Sequence, residues 1–256
     1  MSDNLPKVGV LFVHGVGMEG ENYADDSIQK LKKLLGENTD NVAFHAYCWQ
    51  PFIEPREQNL EKSTKTVFWK IARRMVVSYG GDAICYQPRH GVNTMYQDVH
   101  KGLADALQAL SEKVSPDGQF IIVAHSLGTV IINNFIWDNQ NAGTVGAAAA
   151  EPINRLKAIY TVGSPIAIWS LRYEDGGMPI KLNDGCVWRN IYSPTDVIGW
   201  PIKGINDAYG NIANLTDYRM WVGNFWKIWP RFTPMSHLEY LTDSKVLKLL
   251  ADDILS

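Results

Sequence analysis

No apolar run in this sequence approaches the roughly 18 residues that a membrane-spanning helix needs, so no transmembrane segment is expected. Cysteine is scarce. Cys48, Cys85 and Cys186 stand far apart with no ligand-like pairing, which argues against a disulfide framework or a zinc site. The same scarcity fits a reducing compartment, and a cytoplasmic location is expected. Charge of neither sign dominates: 24 Lys and Arg face 27 Asp and Glu, and a net charge of -3 gives no reason to expect nucleic acid as a partner. The opening stretch lacks a basic segment followed by a long apolar run, and its first apolar stretch, Val8 to Val13, suits a strand rather than a secretion signal. Repeats and low-complexity stretches are also missing. What remains is a chain of 256 residues, 46% hydrophobic, that can hold one sizeable core as a soluble globular protein.

Along the chain, strand-like and helix-like periodicities alternate. Val8 to Val13 (VGVLFV) reads as a strand buried on both faces and ends in His14-Gly15-Val16-Gly17. Tyr23 to Leu35 fits an amphipathic helix, and Val42 to Trp49 is a second strand candidate. From Leu60 to Tyr79 apolar residues recur at helical spacing opposite a basic face. That face reads first as solvated, with contact to an anionic surface as the lesser alternative. Tyr96 to Leu110 is a further helix, Phe120 to Ala124 a strand, and Gly128 onward a helix again. Asn139 to Ala150 is small and loop-like, though its alanines could extend a helix. Leu156 to Val162 and Val187 to Tyr192 are strands, and Ser244 to Leu255 a closing helix. This order predicts a single α/β domain on a mostly parallel sheet with helices on both faces. In such sheets ligands gather at the C-terminal ends of the strands, where His14, Ser126, Ser164 and Asp196 all fall.

The most informative stretch is Phe120 to Asn134, FIIVAHSLGTVIINN. Strand, tight turn with a serine at its tip, helix: this arrangement lifts a hydroxyl above the end of a sheet. The turn is cramped, so the residues two before and two after Ser126 must be small, and they are Ala124 and Gly128. Against this stands the plainer reading of a strand that leaves into a helix through a serine cap. A serine hydroxyl becomes a nucleophile when a base takes its proton and a carboxylate fixes the tautomer of that base. Asp196, just past a late strand in YSPTDVIG, is the expected acid; Asp175, Asp184, Asp207 and Asp217 occupy weaker positions. His237 is the only one of six histidines downstream of Asp196 and is the expected base.

The order Ser126, Asp196, His237 is the nucleophile–acid–base order of α/β-hydrolases. With VLFVHGVG, AHSLG, YTVGSP and SPTDVIG, the sequence resembles the α/β-hydrolase superfamily, in particular its serine esterase and lipase-like members with an HG motif. The resemblance implies a sheet that begins at the family's third strand, without the usual antiparallel N-terminal strands. Segments near 51–95 and 199–233 would be caps or insertions within a single domain, 1–256. It also implies an oxyanion hole from the amides of Leu127 and Val16, with Gly15 or Gly17 as alternative donors to Val16. The independent chemical requirement is two donors where negative charge develops, each contributing about 3 kcal/mol. No metal or organic cofactor is needed.

Aromatic residues crowd the stretch between Asp196 and His237: Trp200, Tyr209, Tyr218, Trp221, Phe225, Trp226, Trp229 and Phe232. They read either as the wall of an apolar acyl pocket or as a satellite core beneath a long loop. His14, Gly15, Trp200, Trp221 and Phe225 are the expected substrate contacts, and the expected substrate is a small-molecule ester of an apolar acyl group. Thioester or amide hydrolysis and acyl transfer use the same residues and are not separated. A catalytically silent hydrolase-fold binding protein is the rival from another class. A dinucleotide-binding reading of His14 to Gly20 fails, because the run lacks G-x-G-x-x-G and the next strand offers no ribose-binding acid. The oligomeric state is left open.

Overall fold

Residues that alternate between two apolar faces need a layer of helices on each side, and the strands of this chain alternate in that way. The computed structural model describes residues 5–15, 20, 22–52, 86, 95–141, 147–223 and 235–256. Six strands form one sheet: β1 (Val8–Val13), β2 (Val42–Tyr47), β3 (Gln119–His125), β4 (Leu156–Val162), β5 (Val187–Tyr192) and β6 (Leu215–Arg219). Their order across the sheet is β2-β1-β3-β4-β5-β6, and every neighbouring pair is parallel. The helices are α1 (Asp25–Leu35), α2 (Met95–Ser111), α3 (Leu127–Asn141), α4 (Ala147–Asn154), α5 (Ile166–Ser170), α6 (Asp207–Gly210), α7 (Met235–Leu238) and α8 (Ser244–Leu255). This is a mixed α/β fold with a parallel central sheet flanked by helices, consistent with the α/β-hydrolase fold.

The chain winds in two directions from β1. It steps to β2 on one side, then crosses back over β1 to β3 and continues outward to β6. Parallel crossovers are right-handed, so connections that move in opposite directions lie on opposite faces. Accordingly α1 covers one face together with α8. There Leu31, Leu35, Val246, Leu250 and Ile254 pack on Val10, Phe12, Val123 and Tyr160. On the other face α2 and α3 bury Val99, Leu103, Leu107, Val130 and Ile131 against Leu11, Val13, Ile122 and Ile159. The direction reverses between the C-terminal ends of β1 and β3, the kind of position at which open α/β sheets bind ligands.

Several elements coincide with the sequence expectation residue for residue: β1, β4, β5 and α8. Others shift at their ends. α1 begins at Asp25 rather than Tyr23, and β2 stops at Tyr47 because Trp49 turns back to hydrogen-bond with His14. The alanines at 147–150 open α4 instead of a loop. β6 lies inside the segment expected as a cap near 199–233, so that segment contributes the sixth strand. The helix expected at 60–79 and nearly all of the 51–95 insertion lie outside the described residues.

One polar cluster fastens α8 to the sheet. Arg189 of β5 donates to both carboxylate oxygens of Asp253, and the Tyr160 hydroxyl of β4 donates to the same group. Both charged side chains are largely buried, at 19% and 13% exposed. Removing one partner would strand the other in a poorly solvated place. Asp253→Ala is therefore expected to lower the unfolding free energy by about 3 kcal/mol in urea titration. A change below about 0.5 kcal/mol would mean that solvent screens the pair.

Candidate active site

β3 delivers His125 to the sheet edge and α3 begins at Leu127, which leaves Ser126 alone at the turn. Its φ is 52°, and it is the only non-glycine residue with positive φ among those described. A side chain in that left-handed region costs roughly 1–2 kcal/mol, so the surroundings must hold it there. They do so through both backbone groups of Ser126. Its N–H donates to the Val162 carbonyl at 3.0 Å, and its own carbonyl accepts from the Thr129 amide and hydroxyl at 2.9 and 2.7 Å. The Thr129 hydroxyl also meets the Ser164 hydroxyl at 2.8 Å, tying the turn to the loop after β4.

The small residues around the serine have a specific cause. A Cβ on Gly128 would lie 2.5 Å from the His14 carbonyl oxygen and 2.7 Å from that of Val13, so the first turn of α3 rests directly on the end of β1. A Cβ on Gly15 would lie 2.4 Å from the Cβ of Ser126. The HG and AHSLG motifs are thus two sides of one contact.

Ser126, His237 and Asp196 form a continuous hydrogen-bonded chain although 111 residues separate the first two. His237 Nε2 is 2.7 Å from Ser126 Oγ, and His237 Nδ1 is 2.8 Å from Asp196 Oδ2. All three are buried, with Ser126 only 2% exposed. Because the carboxylate only accepts, Nδ1 carries the proton, and Nε2 is left to accept from the serine hydroxyl. Asp196 also accepts from the Ile198 amide and the Tyr240 hydroxyl, both at 2.8 Å. Burial by itself raises the Asp196 carboxyl. The hydrogen bond and charge of His237, then the Ile198 amide and Tyr240, outweigh it and hold the group below the ordinary carboxylate value.

The loop that carries Asp196 is anchored from three sides. Tyr240 accepts from the Ser193 amide at 2.7 Å while donating to Asp196, and the Trp200 amide donates to the Ser164 carbonyl at 3.1 Å. Asn190 of β5 donates to the Trp200 carbonyl and to Asp217 of β6. Asp217 in turn accepts from the amides of Ile202 and Lys203. Sequence reading weighed Asp217 only as a rival acid and did not single out Tyr240 or Asn190. A tyrosine three residues after the candidate base, opening the short turn Tyr240–Thr242 that follows α7, was the available signal for Tyr240.

His14 and His125 are both enclosed. His14 Nε2 accepts from the Trp49 amide at 3.1 Å, its Nδ1 reaches the Gly15 carbonyl at 2.6 Å, and its ring stacks on Trp49. With both nitrogens engaged and 1% of its surface exposed, its side chain braces the loop after β1. Sequence reading expected it among substrate contacts. His125 donates from Nε2 to the His237 carbonyl at 2.6 Å, with its ring 4.8 Å from that of His237. Burial depresses both imidazoles, His14 to about 4 and His125 to about 3, and His100 in α2 likewise to about 3.

The other expected residues divide. Leu127 opens α3, where the helix end places backbone N–H groups and partial positive charge beside Ser126. Gly15 lies against the serine. Val16 and Phe225 lie outside the described residues. Trp200 and Trp221 are half-exposed, at 48% and 56%, and they separate: Trp200 belongs to the Asp196 loop, whereas the carbonyl of Trp221 accepts from Lys245 of α8. Among the described residues no group of three His, Cys, Asp or Glu side chains is placed to hold a metal ion, and no helix is long and apolar enough to cross a membrane.

No protein-family model matches the chain, and no curated protein matches it. Solved structures with a similar fold include a protein from Xanthomonas campestris pv. campestris assigned to the alpha/beta superfamily of hydrolases, at 12% identity. That match covers 91% of this chain and 98% of the other, with a TM-score of 0.43. The esterase domain of a Rhodothermus marinus protein is 15% identical over 99% of this chain and 86% of its own, with a TM-score of 0.40. The NocB thioesterase domain from the nocardicin cluster is 12% identical over 100% and 95%, with a TM-score of 0.38. Likeness at this distance says nothing about chemistry, which rests on the residues above.

Three outcomes follow from this geometry. Gly128→Ala forces a methyl onto the backbone of β1 and is expected to cost about 3 kcal/mol in chemical denaturation; a neutral effect would mean that α3 does not rest on β1. Tyr240→Phe strands the Ser193 amide and is expected to cost about 1–3 kcal/mol in the same assay; no loss would remove Tyr240 from the anchoring network. The third concerns pH. Unfolded histidines bind protons near 6.5, whereas His14, His100 and His125 bind them only near 4, 3 and 3 in the folded state. Between these values the unfolded chain holds more protons, so stability falls as pH falls, by up to about 1.4 kcal/mol per pH unit for each histidine. Depression of Asp196 adds loss in the same direction at lower pH. The thermal midpoint should decline steadily from pH 7 to pH 5, and a flat profile would contradict the buried neutral imidazoles.

Proposed function

We propose that the chain is a serine-dependent carboxylic ester hydrolase working through an acyl-enzyme. The observation that carries this reading is the unbroken chain Ser126–His237–Asp196, with its serine held in a strained left-handed conformation. Conformational strain persists where surroundings over-determine it, and here they over-determine a reactive hydroxyl.

In the proposed cycle His237 Nε2 takes the proton of Ser126 as Oγ attacks the acyl carbonyl, forming the C–O bond and an oxyanion. Asp196 remains ionised and stabilises the imidazolium. The amide of Leu127, with Val16 as the second proposed donor, holds the oxyanion. His237 returns the proton to the departing alkoxide, leaving the acyl group on Ser126. Water then attacks with His237 as base, and the carboxylic acid leaves as Ser126 recovers its proton. No step calls on a metal or organic cofactor. Thioesters, amides and non-water acceptors could use the same residues, which do not separate them from the ester. The scarcity of cysteine supports a cytoplasmic setting, and a small-molecule acyl ester is the proposed partner.

Hydrolysis of p-nitrophenyl butyrate tests the proposal. Wild-type protein should turn over, Ser126→Ala should not, and Asp196→Asn should lose about 10⁴ in kcat while remaining folded, since the wrong tautomer of His237 is then favoured. Activity that survives Ser126→Ala, or a mild effect of Asp196→Asn, would reject the assignment.

A further inference from the structure

His237 reaches the sheet from α7, a helix of four residues, and a helix that short cannot satisfy its own carbonyls. One of those carbonyls has a buried side chain as its partner. His125, the last residue of β3, donates from Nε2 to the His237 carbonyl at 2.6 Å across 112 residues of sequence. Ser126 is the next residue in the chain. The base is therefore tied to two consecutive residues, its main chain to His125 and its ring to Ser126 Oγ at 2.7 Å. β3 is an interior strand and His125 lies in register with Val162 of β4, so the donor stands on a rigid part of the sheet.

The catalytic cycle described above makes no use of the His125 ring. The ring is fully buried beside that of His237, and its Nδ1 is enclosed without a hydrogen-bond partner among the described residues. An apolar ring would fill the space without stranding a nitrogen. What imidazole adds is one N–H at the tip of a short side chain, and it adds it without charge, because burial lowers the ring to about 3. A cationic donor this close would oppose the imidazolium that His237 becomes. The His237 ring also lies against Gly163, where a Cβ would stand 3.1 Å from its Nδ1 and Cε1. Ring and main chain are thus both located, as proton transfer between Oγ and Nε2 requires.

We propose that His125 is a positioning residue of the Ser126 site: its Nε2–H holds the backbone of His237 so that the base meets the serine that follows His125. The proposal rests on the serine hydrolase reading for its effect on turnover, but not for its effect on the His237 ring. Loss of the bond frees α7 to shift. The contacts of His237 with Ser126 and Asp196 then loosen together, which slows the proton transfers and leaves substrate binding alone.

The test uses three variants that differ in reach. His125→Gln keeps an N–H as many bonds from the backbone as Nε2, His125→Asn ends one methylene short, and His125→Phe fills the volume without a donor. With p-nitrophenyl butyrate, kcat should fall about 30-fold in the Phe and Asn variants while KM changes less than about twofold. The Gln variant should stay within about threefold of wild type, and it forms the deciding pair with Asn if the Phe variant folds poorly. Fluorophosphonate labelling of Ser126 supplies a second readout. In a His237→Ala background, adding His125→Phe should slow labelling no further, because a residue that acts through the base has nothing left to act on. Wild-type kcat in the Asn variant, a Gln variant as impaired as Asn, or a multiplied loss in the double variant would overturn the proposal alone. If wild-type protein hydrolyses no ester, ¹⁵N NMR of the neutral His237 ring, identified by its absence in His237→Ala, decides. A single Nδ1–H tautomer in wild type and Gln with mixed tautomers in Asn supports the proposal even though the hydrolase reading has failed. Identical ring shifts in all of them overturn it.

Discussion

The fold turns on one close contact, the first turn of α3 pressed against the end of β1. It exists because Gly15 and Gly128 have no side chains there: a single methyl at either would meet a backbone oxygen or the serine itself at 2.4–2.5 Å. Interiors packed to this density cannot absorb an added atom without displacement. The contact seats the start of α3 against the end of β1, and Ser126, with its positive φ, lies at that junction, where the sheet reverses its winding direction. Everything proposed about chemistry starts from that placement.

Parallel topology supplies the rest. Each strand ends at the same edge, so loops that are distant in sequence converge there, and the residues that matter are set just past β1, β3, β4 and β5. What keeps them in register is a set of side-chain hydrogen bonds beneath the loops. Thr129 joins the turn of Ser126 to Ser164, Tyr240 joins Ser193 to Asp196, and Asn190 with Asp217 holds the backbone from Trp200 to Lys203. Asp196 accepts three hydrogen bonds and His237 is held at both nitrogens, so neither side chain is left to reorient.

How far this could be read from the sequence depended on how strongly each segment was patterned. β1 and β3 are carried by short apolar runs, β4 and β5 by stretches rich in β-branched and aromatic residues, and each is followed within two residues by glycine or serine, which leaves few alternatives. Ser126, Asp196 and His237 were legible because each follows a strand end or stands alone as the last histidine in the chain. β6 was hidden because LTDYR is a short edge strand with one fully buried residue, Leu215, and no apolar run. The aromatic stretch after Asp196 looked like one surface, yet its members disperse: Tyr209 joins the core near α3, Tyr218 packs on Arg189, and Trp200 and Trp221 face outward. Composition registers that aromatics are present and is silent on which layer each one enters.

The central claim is that Ser126 is an activated nucleophile, and its most direct test is covalent. The intact protein would be treated with a fluorophosphonate and the adduct located by mass spectrometry, alongside His237→Ala. A single adduct on Ser126, formed at least about 100-fold more slowly in His237→Ala, is the result the account predicts. A folded protein that takes up no label at Ser126, or that labels equally fast without His237, would contradict it.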